Sequence, residues 1–109
     1  MSGGLSTSWL AVRLGLDPLQ VNRLRESGRL FGVRGERGEY VFPAWQFDGE
    51  GRTLPVVTRI LERARAARVR PEQLLELLER PVGLVGHTRF LDLLLGGSEA
   101  RVVAELATV

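Results

Sequence analysis

Gln20, Asn22 and Arg23 lie within four residues of one another and have side chains that can pair with DNA base edges. Amide side chains pair with the N6 and N7 of adenine, and a guanidinium group pairs with the O6 and N7 of guanine. If a short helix presents these groups on its outer side, it suits the major groove of a duplex. The three residues are therefore our candidates for base recognition.

The residues around this trio predict a short helix with clear ends. Asp17 is a favoured N-cap, Pro18 suits the first helical position, and Gln20 can reach back to complete a capping box. Val21 and Leu24 give the helix a buried side. Gly28 supplies a left-handed residue that ends it.

A second helix is predicted just before this one. A serine or threonine among residues 6–8 can cap it, and Leu10, Ala11 and Leu14 form its inward stripe. Gly15 then makes the turn, so the pair reads as a helix-turn-helix unit. We expect Trp9 to pack inside the protein, and residues 1–5 to form a loose terminus.

Residues 30–34 and 39–42 are short β-prone runs separated by a glycine-flanked loop, which predicts a hairpin. Directly after a recognition-type helix, such a hairpin reads as a wing. Arg34 and Arg37 would then touch backbone phosphate or a minor groove. The alternative is an ordinary solvated loop, because two glutamates in the segment partly cancel its charge.

The chain after the hairpin is predicted to be helical. Trp45 and Phe47 are expected to lock the hairpin against the next helix, and residues 49–52 form the turn that separates units 1–48 and 49–109. Residues 54–69 repeat apolar positions at three and four. Their arginines form either a second phosphate-binding surface or a face that pairs with the acidic C-terminal part: Arg59, Arg63, Arg65, Arg68 and Arg70.

Three further helices complete the expected C-terminal bundle. One begins at Pro71 and runs through Glu79, a short one follows a cap at Thr88 and runs through Leu95, and the last starts at Ser98. This part has more apolar residues than one face of three short helices needs. Surplus apolar surface indicates either a self-association or partner interface, or helices that simply enclose one another.

The net charge of +2 is unevenly distributed along the 109 residues. Residues 1–70 hold twelve arginines against seven acidic residues, whereas residues 71–109 hold three arginines against six acidic residues. This asymmetry suggests that only the first part meets a polyanion. No apolar run is long enough to cross a bilayer and no signal pattern is present, so we expect a cytoplasmic protein without a membrane partner.

The residue inventory argues against catalysis. The chain has no cysteine and no lysine, and His87 is its only histidine. Thiolate metal sites, thiol nucleophiles and P-loop or Schiff-base lysines are excluded, and a lone histidine in a glycine-threonine loop is typically structural. We expect no enzyme activity, no catalytic residue, no metal site and no cofactor.

The N-terminal half resembles the winged helix of MerR and excisionase proteins. The resemblance rests on Ala-x-x-Leu-Gly-Leu at residues 11–16, on Val-x-x-Leu at residues 21–24 and on Ser-Gly-Arg-Leu at residues 27–30. It implies a DNA-binding unit whose second helix enters the major groove.

The C-terminal part is similar to the toxin-binding domain of Xre/MbcA/ParS antitoxins. The similarity rests on residues 42–48 and 54–55, on Leu-Glu-Arg-Pro at residues 78–81, on residues 85–94, and on the Gly-Gly and Val-Val pairs at 96–97 and 102–103. It implies binding of a RES-fold toxin that consumes NAD, and repression of the shared operon. The implied partner-surface residues are Phe90, Asp92, Leu94 and Val103.

Together these observations predict a mainly α chain with a small β-hairpin wing, in which a winged helix-turn-helix is followed by a small helical bundle. The expected function is that of a sequence-specific regulator of transcription, dimeric on double-stranded DNA. The resemblance of the C-terminal part further implies the role of an antitoxin. The alternative is a protein-interaction module with a winged-helix shape that does not bind DNA. The predicted DNA-binding residues are Pro18, Gln20, Asn22, Arg23, Arg25, Arg29, Arg34 and Arg37, the last four as phosphate contacts.

Overall fold

The computed structural model describes residues 4–109, and helices make up 52% of this part of the chain. The elements are β1 (Gly4–Ser6), α1 (Thr7–Leu14), α2 (Pro18–Glu26), β2 (Val33–Arg34), β3 (Tyr40–Pro43), a 3₁₀ helix (Ala44–Gln46), α3 (Pro55–Ala66), α4 (Pro71–Glu79), α5 (Phe90–Leu95) and α6 (Glu99–Leu106). A mainly helical chain with a small β element is therefore confirmed.

The chain divides into two compact units within α3, between Leu61 and Glu62. The sequence placed the boundary earlier, after Asp48. Residues 49–52 form the predicted turn, in which the Asp48 carboxylate accepts hydrogen bonds from the backbone N–H groups of Glu50 and Arg52 at 2.8 and 3.0 Å. These bonds stabilise the charged carboxylate, so the pKa of Asp48 lies below its ordinary value.

The first unit contains the two predicted helices, α1 and α2. Ser6 is the N-cap of α1, where its Oγ accepts the backbone N–H of Trp9 at 3.1 Å. Gly15 ends α1 with a left-handed φ of 71°, a conformation that is easy only for glycine. The core of this unit is formed by side chains from both helices and the hairpin: Leu10, Ala11, Val21, Leu30 and Phe42.

A three-stranded antiparallel sheet with the order β1-β3-β2 contains the predicted hairpin. Strand β1 was not predicted, because residues 1–5 were expected to form a loose terminus. Residues 1–3 lie outside the described part of the chain, but Leu5 is paired with Phe42 on β3. A three-residue strand is too short to show an alternating pattern, and its partner lies more than thirty residues away in the sequence.

The large aromatic residues have different environments. The rings of Phe31 and Trp45 meet edge to face with centroids 5.7 Å apart, and Phe47 packs against the core of the first unit. Both residues therefore have a packing role, and their contact with the next helix stays a prediction. The packing predicted for Trp9 is wrong, because its side chain lies on the outer side of α1 and is 51% exposed.

Gln46 is a fully buried polar residue that joins two loops of the first unit. Its Oε1 accepts the backbone N–H of Phe31 at 2.8 Å, and its Nε2 donates to the carbonyl oxygens of Phe31 and Pro43 at 2.8 and 3.0 Å. These bonds satisfy buried backbone groups just before β2 and at the end of β3. The segment after α2 is thereby tied to the end of β3.

The second unit contains α4, α5 and α6, which pack against one another. Helix α4 has the predicted bounds, and α6 starts after Ser98 as expected. Helix α5 begins at Phe90, one residue later than a cap at Thr88 requires. Arg89 takes the N-cap position, and the Asp92 carboxylate reaches back to accept its backbone N–H at 2.8 Å.

No helix within residues 4–109 has both the length and the apolar character that crossing a bilayer requires.

Replacing Gln46 with alanine is expected to lower the free energy of unfolding by about 2–4 kcal/mol. The substitution leaves the N–H and carbonyl of Phe31 buried without partners. Denaturant unfolding followed by circular dichroism measures the change. The matched control is Gln73→Ala, since the Gln73 Oε1 accepts only the backbone N–H of Arg70, at 2.9 Å in an exposed cap, and its loss should cost about 1 kcal/mol or less. Equal losses of unfolding free energy in the two variants would show that the burial of Gln46 does not increase its contribution to stability.

Candidate nucleic-acid interface

Helix α2 has a rigid start, because a reciprocal capping box closes its first turn. The backbone N–H of Gln20 donates to Asp17 Oδ1, and the backbone N–H of Asp17 donates to Gln20 Oε1, each at 2.9 Å. Pro18 occupies the first turn. The predicted N-terminus of the helix is therefore confirmed, bond by bond.

The C-terminal end of α2 also follows the prediction. Gly28 adopts a left-handed φ of 79°, and the backbone N–H of Arg29 donates to the carbonyl of Leu24 at 2.9 Å. This arrangement satisfies a carbonyl at the end of the helix and turns the chain toward the hairpin.

One side of α2 is buried and the other faces water. Val21 is fully buried and Leu24 is half-buried, as their spacing predicts. Pro18, Gln20 and Arg23 are exposed. Arg23 thus projects outward with its guanidinium group available to a base or a phosphate.

Asn22 and Gln20 are more constrained than the sequence suggested. Asn22 is half-buried, and its Oδ1 is shielded from solvent without a hydrogen-bond partner among the described residues. The Oε1 of Gln20 is already engaged in the capping box. Of the three residues expected to contact bases, Arg23 is the one whose side chain is exposed to solvent and takes no part in the capping box.

Tyr40, on strand β3, holds two of the predicted phosphate-binding arginines. The guanidinium carbon of Arg25 lies 3.7 Å from the centre of the Tyr40 ring, and that of Arg34 lies 4.7 Å from it. Both distances are within the range of cation–π attraction. A residue of α2 and a residue of β2 are thus joined through one aromatic ring, which sequence reasoning did not identify as part of the site.

Arg25 is held along its length as well as at its tip. Its aliphatic stem passes over Gly32, where an added Cβ would lie 2.9 Å from Arg25 Cδ and 2.7 Å from the ring of Phe42. The Arg25 Nε is buried without a hydrogen-bond partner among residues 4–109. Packing therefore fixes the direction of this side chain before any ligand arrives.

The hairpin tip is an ordered turn. Arg34 Nη1 donates to the carbonyl of Gly38 at 2.8 Å, and the backbone N–H of Arg37 donates to Glu39 Oε1 at 3.2 Å. Gly38 adopts a φ of 85°, which the turn requires. The Arg37 side chain is exposed at this tip, and Arg29 is exposed just beyond the end of α2.

The four residues expected to contact a protein partner differ in how far they are exposed to solvent. Phe90 and Leu94 are only 6% and 1% exposed, which corrects their assignment to an open partner surface, because they are part of the core. Val103 is half-buried. Asp92 is exposed, and the hydrogen bond that it accepts from the backbone of Arg89 lowers its pKa.

Two exposed apolar residues were not singled out by sequence reasoning. Leu84 and Val85 occupy the loop between α4 and α5, where their side chains are fully exposed. This loop is closed at its base by a hydrogen bond from the backbone N–H of Val82 to the carbonyl of Thr88 at 2.9 Å.

The five arginines of α3 and the turn after it are all exposed, as predicted: Arg59, Arg63, Arg65, Arg68 and Arg70. Two acidic residues of the C-terminal part pair elsewhere, since Glu105 contacts Arg80 at 3.4 Å and Asp92 contacts Arg89 at 3.6 Å. His87 is exposed in its loop, and no group of three or more potential metal ligands occurs among residues 4–109.

Comparison with known proteins shows that the fold of this chain is similar to that of a solved structure. No family model and no curated protein matches the chain. A solved structure described as the NMR structure of Rv2175c is similar to it, with a TM-score of 0.77 and 20% sequence identity over 96% of this chain and 79% of the other. At this identity the similarity establishes the fold alone.

Replacing Gly32 with alanine is expected to reduce the free energy of unfolding by about 1–3 kcal/mol. The new methyl group meets the fully buried ring of Phe42 and the stem of Arg25. Chemical denaturation measures the loss. Gly49→Ala is the control, because no atom lies within 4 Å of its added Cβ and stability should stay within about 1 kcal/mol of the wild type. A Gly32 variant as stable as the control would contradict close packing at this point.

Proposed function

We propose that this protein is a sequence-specific regulator that binds double-stranded DNA through α2 and the β2–β3 hairpin. The observation that carries the proposal is the placement of Arg25 and Arg34 on the single ring of Tyr40. The ring face attracts both guanidinium groups and orders their positive charge where α2 meets the hairpin. The phosphate backbone of DNA is the polyanion that fits a helix and hairpin of this kind.

The exposed arginines around this pair extend the basic surface of the first unit. Arg23 faces outward from α2, Arg29 follows its end, and Arg37 lies at the hairpin tip. With α2 in the major groove, Arg23 contacts a base edge, while the hairpin arginines contact phosphates.

The proposal is tested by selecting duplexes from a random library and measuring their affinity by fluorescence anisotropy at several salt concentrations. We expect one sequence to be enriched and to bind more tightly than its scrambled form. Arg23→Ala should bind the selected duplex about tenfold or more weakly than the wild type does, and its affinity for the scrambled duplex should change little. Arg37→Ala should weaken binding to the selected and the scrambled duplex equally. It should also lower the slope of log affinity against log salt concentration by about one.

Arg101→Ala is the control for these measurements, because it removes the same charge from an exposed position on α6. Its affinity and salt slope should match those of the wild type. Failure to enrich any duplex at low salt, or the same loss for Arg101→Ala as for Arg23→Ala, would overturn the proposal.

We further propose that two copies associate through the second unit, so that two α2 helices meet two half-sites about one helical turn apart. The exposed tip formed by Leu84 and Val85 supports this part of the proposal, because burying apolar side chains that face water is energetically favourable.

The same tip favours the second candidate function, a protein-interaction module that does not bind DNA. Binding of a RES-type toxin stays a prediction from sequence resemblance.

Sedimentation velocity at micromolar concentration is expected to show a dimer for the wild type and a monomer for the double variant Leu84→Ser, Val85→Ser. The substitutions add hydroxyl groups where the partner would bury methyl groups. The control is Val12→Ser, which changes an 85%-exposed valine of α1 and should leave the dimer intact. A wild type that stays monomeric at concentrations that saturate the selected duplex would contradict dimerisation and leave DNA binding standing.

A further inference from the structure

Leu19 is an apolar residue in the first turn of α2, and its side chain is 59% exposed. On the neighbouring sides of the helix, Val21 is fully buried, while the Oδ1 of Asn22 is shielded from solvent. The first turn therefore presents an aliphatic side chain at the position from which a recognition helix contacts bases.

Arg23 lies four residues after Leu19 and is also exposed. Residues separated by four positions are neighbours on the same side of a helix, one turn apart. The outward side of α2 thus combines an aliphatic group with a guanidinium group. The capping box that fixes the first turn also fixes the direction of Leu19.

We infer that Leu19 is a specificity-determining residue that recognises the C5 methyl group of a thymine in the major groove. This inference rests on the proposed function. The thymine methyl is the apolar group that base pairs present in that groove, and aliphatic contact is the means by which proteins recognise it. Arg23 then pairs with a guanine within about two base pairs of that thymine, since one helical turn rises 5.4 Å and base pairs are about 3.4 Å apart.

The test replaces each thymine of the selected duplex, one at a time, with deoxyuridine, which lacks only the methyl group. One replacement is expected to weaken binding of the wild type about three- to fivefold, as the loss of one buried methyl contact implies. The same replacement should change the affinity of Leu19→Ala by no more than about 1.5-fold, because this variant already lacks the leucine side chain that contacts the methyl group.

Val12→Ala provides the matched control, since Val12 is an apolar residue of the same unit with 85% exposure. It should keep the full sensitivity to deoxyuridine. Thermal unfolding of each variant checks that the fold is retained, which is expected because alanine favours helix at both positions.

The outcomes separate this inference from the function on which it rests. If no duplex is enriched at all, the proposed function fails. If a duplex is enriched but no deoxyuridine position weakens the wild type, or if wild type and Leu19→Ala respond equally, the role of Leu19 is overturned while DNA binding stands.

Discussion

The one-sided burial of α2 is the constraint on which the arrangement of the first unit depends. Val21 is completely withdrawn from solvent in a cluster with Leu10, Leu30 and Phe42, so the rotation of the helix about its own axis is fixed. A helix fixed in rotation must present the same side chains to water in every molecule. The proposed recognition of DNA by the outward pair Leu19 and Arg23 depends on this fixed rotation.

The hairpin shares that core, and its connections give the surface its rigidity. Phe42 belongs to the cluster, and Tyr40 on the same strand holds the guanidinium groups of Arg25 and Arg34. Gln46 satisfies the backbone of Phe31 where the chain enters the hairpin. Cationic groups that are ordered in advance lose less conformational freedom when an anion binds.

Local signals predicted much of the fold, since the responsible residues are close together in the chain. Asp17, Pro18 and Gln20 define the start of α2, and Gly28 its end. The prediction failed where the partner is distant or the segment is short. Strand β1 is three residues long, and Trp9 faces solvent because the inward stripe of α1 is already filled by Leu10 and Ala11.

The sequence by itself determined the two ends of α2, the bounds of α4 and the presence of the hairpin, because caps and turns act over a few neighbouring residues. Tertiary structure alone decided the exposure and contacts of individual side chains around α2. It shielded the Oδ1 of Asn22, exposed Leu19 and placed two arginines on Tyr40. The reason is that the shielding of side chains beside the buried side of a helix, and their stacking on aromatic rings, depend on contacts between segments far apart in the chain, which local periodicity does not encode.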